Sequence, residues 1–126
     1  MLKQDIKTLM YFHTDKKQEF YTDEKCFITE ILNTPKVKGM SVAQARVEPG
    51  VTTQNHTLDF DEAYYILKGK GEMQINSGEL KVILPGDLAY IPKQSKQRIT
   101  NIGEEDLVFL CLCTPRFIPE GYESKE

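Results

Sequence analysis

The sequence predicts a single all-β domain, built as a sandwich or a small barrel. From residue 26 onward, short segments alternate apolar and polar side chains and are separated by Gly, Pro and Asn, which is the pattern of strands joined by tight turns. Helical periodicity is weak along the chain, and a length of 126 residues favours one hydrophobic core. Because every short strand has to bury one face, such a series favours packed sheets or a closed barrel.

The predicted strands follow one another at short intervals, over residues 26–32, 40–47, 60–68, 71–75, 79–84, 88–92, 97–101 and 107–113. Some of the turns need a backbone conformation that glycine adopts without strain, and Gly50, Gly69 and Gly86 stand at three of them. The whole chain is expected to form one domain. Residues 1–39 supply N-terminal strands or an arm, and the residues after 114 end in a short polar tail that frays.

Composition excludes several classes of function. Sixteen Lys and Arg against nineteen Asp and Glu give a net charge of −3, which argues against nucleic-acid binding. The apolar run from Leu107 to Cys113 is too short to cross a bilayer as a helix. The N-terminus lacks the apolar stretch of a secretory signal, and an odd number of cysteines indicates a reducing compartment, so we expect a cytoplasmic protein without a membrane partner. Cys111 and Cys113 share one strand face and are expected in the core.

Two glycine-bounded stretches carry the residues best suited to chemistry. The first contains, in order, Gly50, His56, Glu62 and Gly69, and the second contains Gly86, Pro92 and Asn101. The residues between the stretches, 70–85, suit a single hairpin. The chain has only two histidines, His13 and His56, which excludes a three-histidine metal site within one chain.

This spacing resembles the two sequence motifs of the cupin superfamily, over about residues 40–114. The resemblance implies a cupin-type double-stranded β-helix, that is, a single-domain jelly-roll barrel with a site inside it. In that superfamily, two histidines and a glutamate of the first motif and one histidine of the second bind a divalent metal. This chain departs from the pattern at three positions, since Leu58 and Gln97 stand where histidines belong and Gln94 replaces a glycine.

Two catalytic interpretations follow. In the first, His56, Glu62 and Gln97 offer nitrogen and oxygen donors to iron, manganese, nickel or zinc, and the protein is a metal-dependent oxygenase, isomerase or lyase of unknown substrate. In the second, no metal is bound. His56 and Glu62 then form a hydrogen-bonded dyad, and Tyr64 or Tyr90 serves as the acid.

A third interpretation is a non-catalytic ligand-binding or regulatory module, because a small barrel encloses one cavity that can hold a ligand without converting it. Tyr90, Gln94 and Gln97 are then the expected ligand contacts. Whether the protein is an enzyme stays open at this point. A homodimer is expected, because N-terminal strands leave an open sheet edge and small members of the superfamily commonly pair through such strands.

Overall fold

The computed structural model describes residues 9–126, so the first eight residues of the predicted N-terminal arm lie outside the described range. Within it the strands are β1 (Phe20–Tyr21), β2 (Phe27–Leu32), β3 (Ser41–Val47), β4 (His56–Leu58), β5 (Asp61–Lys68), β6 (Gly71–Ile75), β7 (Lys81–Ile83), β8 (Leu88–Ile91), β9 (Gln97–Asn101), β10 (Leu107–Thr114) and β11 (Tyr122–Ser124). Short 3-10 turns precede β1 and β11. No helix of the described residues is long and apolar enough to cross a membrane.

The strands form two sheets, which confirms the predicted all-β jelly roll. The six-stranded sheet has the order β1-β2-β3-β10-β5-β8, and the five-stranded sheet has the order β11-β4-β9-β6-β7. The described strand pairs are antiparallel. The hairpin expected between the two motifs is the pair β6 and β7. Because β5 and β6 belong to different sheets, the turn at Gly69 carries the chain from one layer to the other.

Glycine is required at that turn for two reasons. Gly69 has a φ of +92°, and a Cβ added there would lie 2.7 Å from the carbonyl oxygen of Asp106. Gly50 and Gly86 also have positive φ, as their positions in the sequence predicted. Gln94 has a φ of +67°, which explains why the superfamily pattern has a glycine at this position.

The core lies between the sheets and is made by inward-facing positions of alternate strands. Val47, Ile99 and Leu107 are fully buried, and each such side chain contributes about 1.5–3 kcal/mol by leaving water. Asn101 is buried among them, and its amide nitrogen donates to the carbonyl oxygens of Val47 and Glu105, both at 2.8 Å. The motif asparagine therefore satisfies buried backbone groups that would otherwise destabilise the fold.

Segments from the N-terminal and C-terminal parts of the described range, 9–126, belong to the sheets. Strands β1 and β2 extend the six-stranded sheet, so part of the expected N-terminal arm lies in the barrel wall. The expectation that the C-terminal tail frays is wrong, because β11 pairs with β4 through Tyr122, Glu123 and Ser124. Backbone pairing and the packing of Tyr122 hold the segment despite its polar composition.

Candidate functional site

A cavity of about 330 Å³ lies inside the barrel, at the small end of the range of about 300–1,000 Å³ typical of ligand pockets. Its wall is formed largely by strands of the six-stranded sheet, and His56, Leu58 and Tyr122 of the five-stranded sheet complete it. Strand β3 contributes Ser41, Ala43 and Ala45, and these short side chains leave the space open. The three cysteines, all free thiols, also line it.

His56 stands in the cavity wall with both ring nitrogens engaged. Its Nδ1 lies 2.8 Å from the carbonyl oxygen of Gln54, which can only accept, so Nδ1 carries a proton. Its Nε2 lies 3.1 Å from Oε2 of Glu24, and the two atoms share a proton. The ring stacks on Tyr122 with a centroid distance of 4.7 Å and an angle of 17°. The C-terminal strand therefore holds the imidazole in one orientation.

Glu24 is a candidate site residue that the sequence did not indicate, because it lies outside both motifs. A tight turn presents it, in which the amide of Lys25 donates to the Thr22 carbonyl and the amide of Thr22 donates to the Cys26 carbonyl. Lys25 adopts a φ of +73° in this turn. Burial raises the pKa of Glu24, and the nearby imidazole of His56 opposes that rise.

Glu62 is buried and has one carboxyl oxygen without a partner. The thiol of Cys113 donates to Oε2 at 3.5 Å, whereas Oε1 has no hydrogen-bond partner among residues 9–126. Burial raises the pKa of Glu62 to about 8, and the negative charge of Glu24 adds to the rise. Gln97 lowers that pKa to a smaller extent but does not reach hydrogen-bond geometry with Oε1. Glu62 is therefore protonated at neutral pH.

The carboxylate paired with His56 is that of Glu24, whereas the predicted dyad contained Glu62. In the described range, the hydrogen bonds and ion pairs of His56 include Glu24 and the Gln54 carbonyl but not Glu62. Tyr64 lines the cavity, as expected of a site residue, and its hydroxyl donates to Oε1 of Gln97 at 2.8 Å. Gln97 is fully buried behind that hydroxyl. His56, Glu62 and Tyr64 thus come together at one cavity.

None of the three residues predicted to bind the ligand lines this cavity, which corrects the sequence-based interpretation. Gln97 is buried behind the Tyr64 hydroxyl, and Tyr90 and Gln94 lie at the surface. Tyr90 is 57% exposed, because Ile91 takes the inward position of β8 and neighbouring strand residues point to opposite faces. Its hydroxyl is near Asp61, which raises the pKa of Tyr90. Gln94 is exposed in the following turn, and its amide donates to Asp59 at 2.9 Å.

Two of the three donors expected to hold a metal, His56 and Gln97, are engaged elsewhere, whereas Glu62 keeps one carboxyl oxygen without a partner among residues 9–126. Both ring nitrogens of His56 have protein partners, Gln97 accepts from Tyr64, and Leu58 offers no lone pair. Among residues 9–126, no group of three or more His, Cys, Asp or Glu side chains is arranged to hold a metal ion. As they stand, these side chains do not fit a metal centre, and the set of His56, Glu62 and Gln97 stays a prediction.

Comparisons with known proteins assign the family. The sequence profile of the cupin domain family matches residues 43–113. An uncharacterized protein of Methanocaldococcus jannaschii is 35% identical over 115 residues, which are 89% of this chain and 91% of that protein. The chain therefore belongs to the cupin family.

Other similarities are partial or structural. The glucose-6-phosphate isomerase of Pyrococcus furiosus is 42% identical over 59 residues, which cover 44% of this chain and only 31% of the isomerase. KdgF from Halomonas sp. superposes with a TM-score of 0.73 at 19% identity, covering 86% of this chain and 96% of KdgF. Streptomyces PAC13, solved with uridine, superposes with a TM-score of 0.75 at 15% identity, covering 92% of this chain and 91% of PAC13. At these identities the two structures establish the shared fold alone.

Proposed function

We propose that this cupin binds a small polar molecule in the barrel cavity and transfers protons on it, in an isomerase- or lyase-type reaction without a metal. The observation that carries the proposal is the cavity, which brings the unpartnered Oε1 of Glu62 together with the Glu24–His56 pair. A buried polar atom without a partner destabilises a protein by about 1–3 kcal/mol. A ligand that supplies the missing hydrogen bond removes that penalty.

The two carboxyl groups have different roles in this proposal. Glu62, protonated at neutral pH, is the acid that gives a proton to the substrate. Glu24 receives a proton from the substrate. His56 touches Glu24 through Nε2 and fixes its orientation, so it is a positioning residue whose own orientation depends on the Gln54 carbonyl and the Tyr122 ring. In an isomerisation, the proton removed and the proton returned leave the composition of the substrate unchanged.

The relatives support a small-molecule reaction of this kind. The isomerase match favours isomerase-type chemistry, and the structure of PAC13 with uridine is an example of this fold beside a small molecule. A phosphorylated sugar is a poor candidate for this cavity, because the lining residues in the described part of the chain include neither Lys nor Arg.

Deuterium incorporation tests the proposal. Candidate substrates, including glucose and uridine, are incubated with the protein in D₂O, and loss of substrate proton signals is followed by NMR. We expect at least one small polar molecule to incorporate deuterium. Glu24→Gln and Glu62→Gln should abolish incorporation, whereas Glu79→Gln, an exposed carboxylate change, should leave it intact. Incorporation that survives both cavity substitutions would contradict the assigned roles.

The replacement of two motif histidines by Leu58 and Gln97 favours a second candidate, a ligand-binding module without catalysis. This candidate predicts saturable binding in the cavity with no deuterium incorporation. A cytoplasmic homodimer remains part of the proposal in either case. The short edge strand β1, with Phe20 and Tyr21 half exposed, is the surface we expect to be covered, and sedimentation of the full chain tests this.

A further inference from the structure

The lining of the cavity carries an unbalanced charge. Its acidic side chains are Asp23, Glu24, Glu30 and Glu62. His56 is the basic side chain of that lining in the described range, and it is already paired with Glu24. The lining formed by residues 9–126 includes neither Lys nor Arg to balance the exposed carboxylates of Asp23 and Glu30. An anionic ligand would be repelled as it entered.

The two outer carboxylates lie where the cavity meets solvent. Asp23 and Glu30 are exposed, although both line the cavity, so they mark its mouth. Asp23 is held on the turn that also presents Glu24, and Glu30 lies on β2. Phe20 and Phe117 line the same cavity, and aromatic faces attract cations. Carboxylates and aromatic rings together form the surroundings that suit an ammonium group.

A second observation points to a ligand deeper in the same cavity. Glu62 is 93% buried, and its Oε1 has no partner among residues 9–126. The neighbouring Cys113 thiol is already used by Oε2. A bound molecule that brings a polar atom to Oε1 would satisfy this buried group.

We infer that the cavity selects small amines, with the ammonium group near Asp23 and Glu30 and a hydroxyl or similar polar group at Glu62. This inference rests on the proposed small-molecule function and deepens it by naming the class of molecule. The attraction from two partly hydrated carboxylates is enough for about a tenfold preference over a neutral molecule of the same shape.

Two matched sets of molecules test the inference. One set is 2-(4-hydroxyphenyl)ethylamine, 2-(4-hydroxyphenyl)ethanol and 4-hydroxyphenylacetate, and the other is glucosamine, glucose and glucose 6-phosphate. Saturation-transfer NMR detects binding, and calorimetry measures Kd. In at least one set, the amine should bind about tenfold more tightly than the neutral molecule, and no anion should bind measurably. At about 1 M salt, where the screening length is about 3 Å, that preference should largely disappear.

Variants locate the effect. The double change Asp23→Asn with Glu30→Gln should weaken amine binding about tenfold and leave neutral binding unchanged, whereas Glu79→Gln should change neither. Equal or tighter binding of the anion would overturn the amine selectivity but leave the cavity as a small-molecule site. Failure of all six molecules to bind would count against the selectivity and the proposed function together.

Discussion

Replacing Glu62 by glutamine tests the buried carboxyl group through the stability of the protein. Burial and the charge of Glu24 raise the pKa of Glu62 from its usual 4.5 to about 8. Between these two pH values the folded protein holds a proton that the unfolded chain has lost. The free energy of unfolding of the wild type therefore falls as pH rises through this window.

The magnitude follows from the size of the pKa change. One pKa unit corresponds to about 1.4 kcal/mol, so the rise from 4.5 to about 8 corresponds to about 5 kcal/mol of stability lost by pH 8. The amide of Glu62→Gln does not titrate, so this loss is absent from the variant. The free energy of unfolding of the variant should therefore depend less on pH than that of the wild type. Relative to the wild type, the variant should be most stable at the alkaline end of this window.

Urea titrations at a series of pH values between 4.5 and 8, with reductant to keep the three thiols free, measure the effect. Glu79→Gln is the matched control, and its pH dependence should parallel that of the wild type because this side chain is exposed. If Glu62→Gln also parallels the wild type across the whole range, Glu62 does not carry a buried proton, and its assignment as the acid is refuted.

Three further predictions concern packing and access. Tyr122→Leu removes the stacked ring and should lower the free energy of unfolding, measured by urea titration, by about 1 kcal/mol. Tyr11 is 85% exposed, so Tyr11→Leu should leave that free energy unchanged. Equal losses in the two variants would contradict the stacking. Gly69→Ala should destabilise the folded protein by about 1–3 kcal/mol, because Gly69 combines a positive φ with a close carbonyl oxygen. Gly39 lies in open space, so Gly39→Ala should leave the stability unchanged, as measured by thermal denaturation. Ala43→Leu fills the cavity and should abolish ligand binding by calorimetry while circular dichroism stays native; unchanged affinity would mean that the ligand binds elsewhere.

Most of the fold could be predicted because strand alternation is a local signal. In β10, Leu107, Phe109 and Cys113 turn inward and are buried, which is what the period of two implies. The strands that were missed are short and depend on pairing. Strand β11 has three residues of mostly polar composition, and its pairing with β4 and the ring of Tyr122 hold it in place. Such contacts join distant parts of the chain and leave no periodic pattern.

The site residues that could be predicted are those within or beside the two sequence motifs. His56, Glu62 and Tyr64 line one cavity because their strands belong to the two facing sheets. Glu24 escaped prediction because the turn that presents it is formed by backbone hydrogen bonds. Tyr90 was misplaced because the inward position of β8 belongs to the neighbouring residue.

An NMR titration of the isotope-labelled protein with a binding molecule tests the central claim most directly, that the cavity is the functional site. The side-chain resonances of His56 and Glu62 should shift in proportion to occupancy, and Ala43→Leu should suppress those shifts. The resonances of Tyr90 and Gln94, which lie outside the cavity, should stay in place. Saturable shifts confined to Tyr90 and Gln94, with His56 and Glu62 unmoved, would contradict the account.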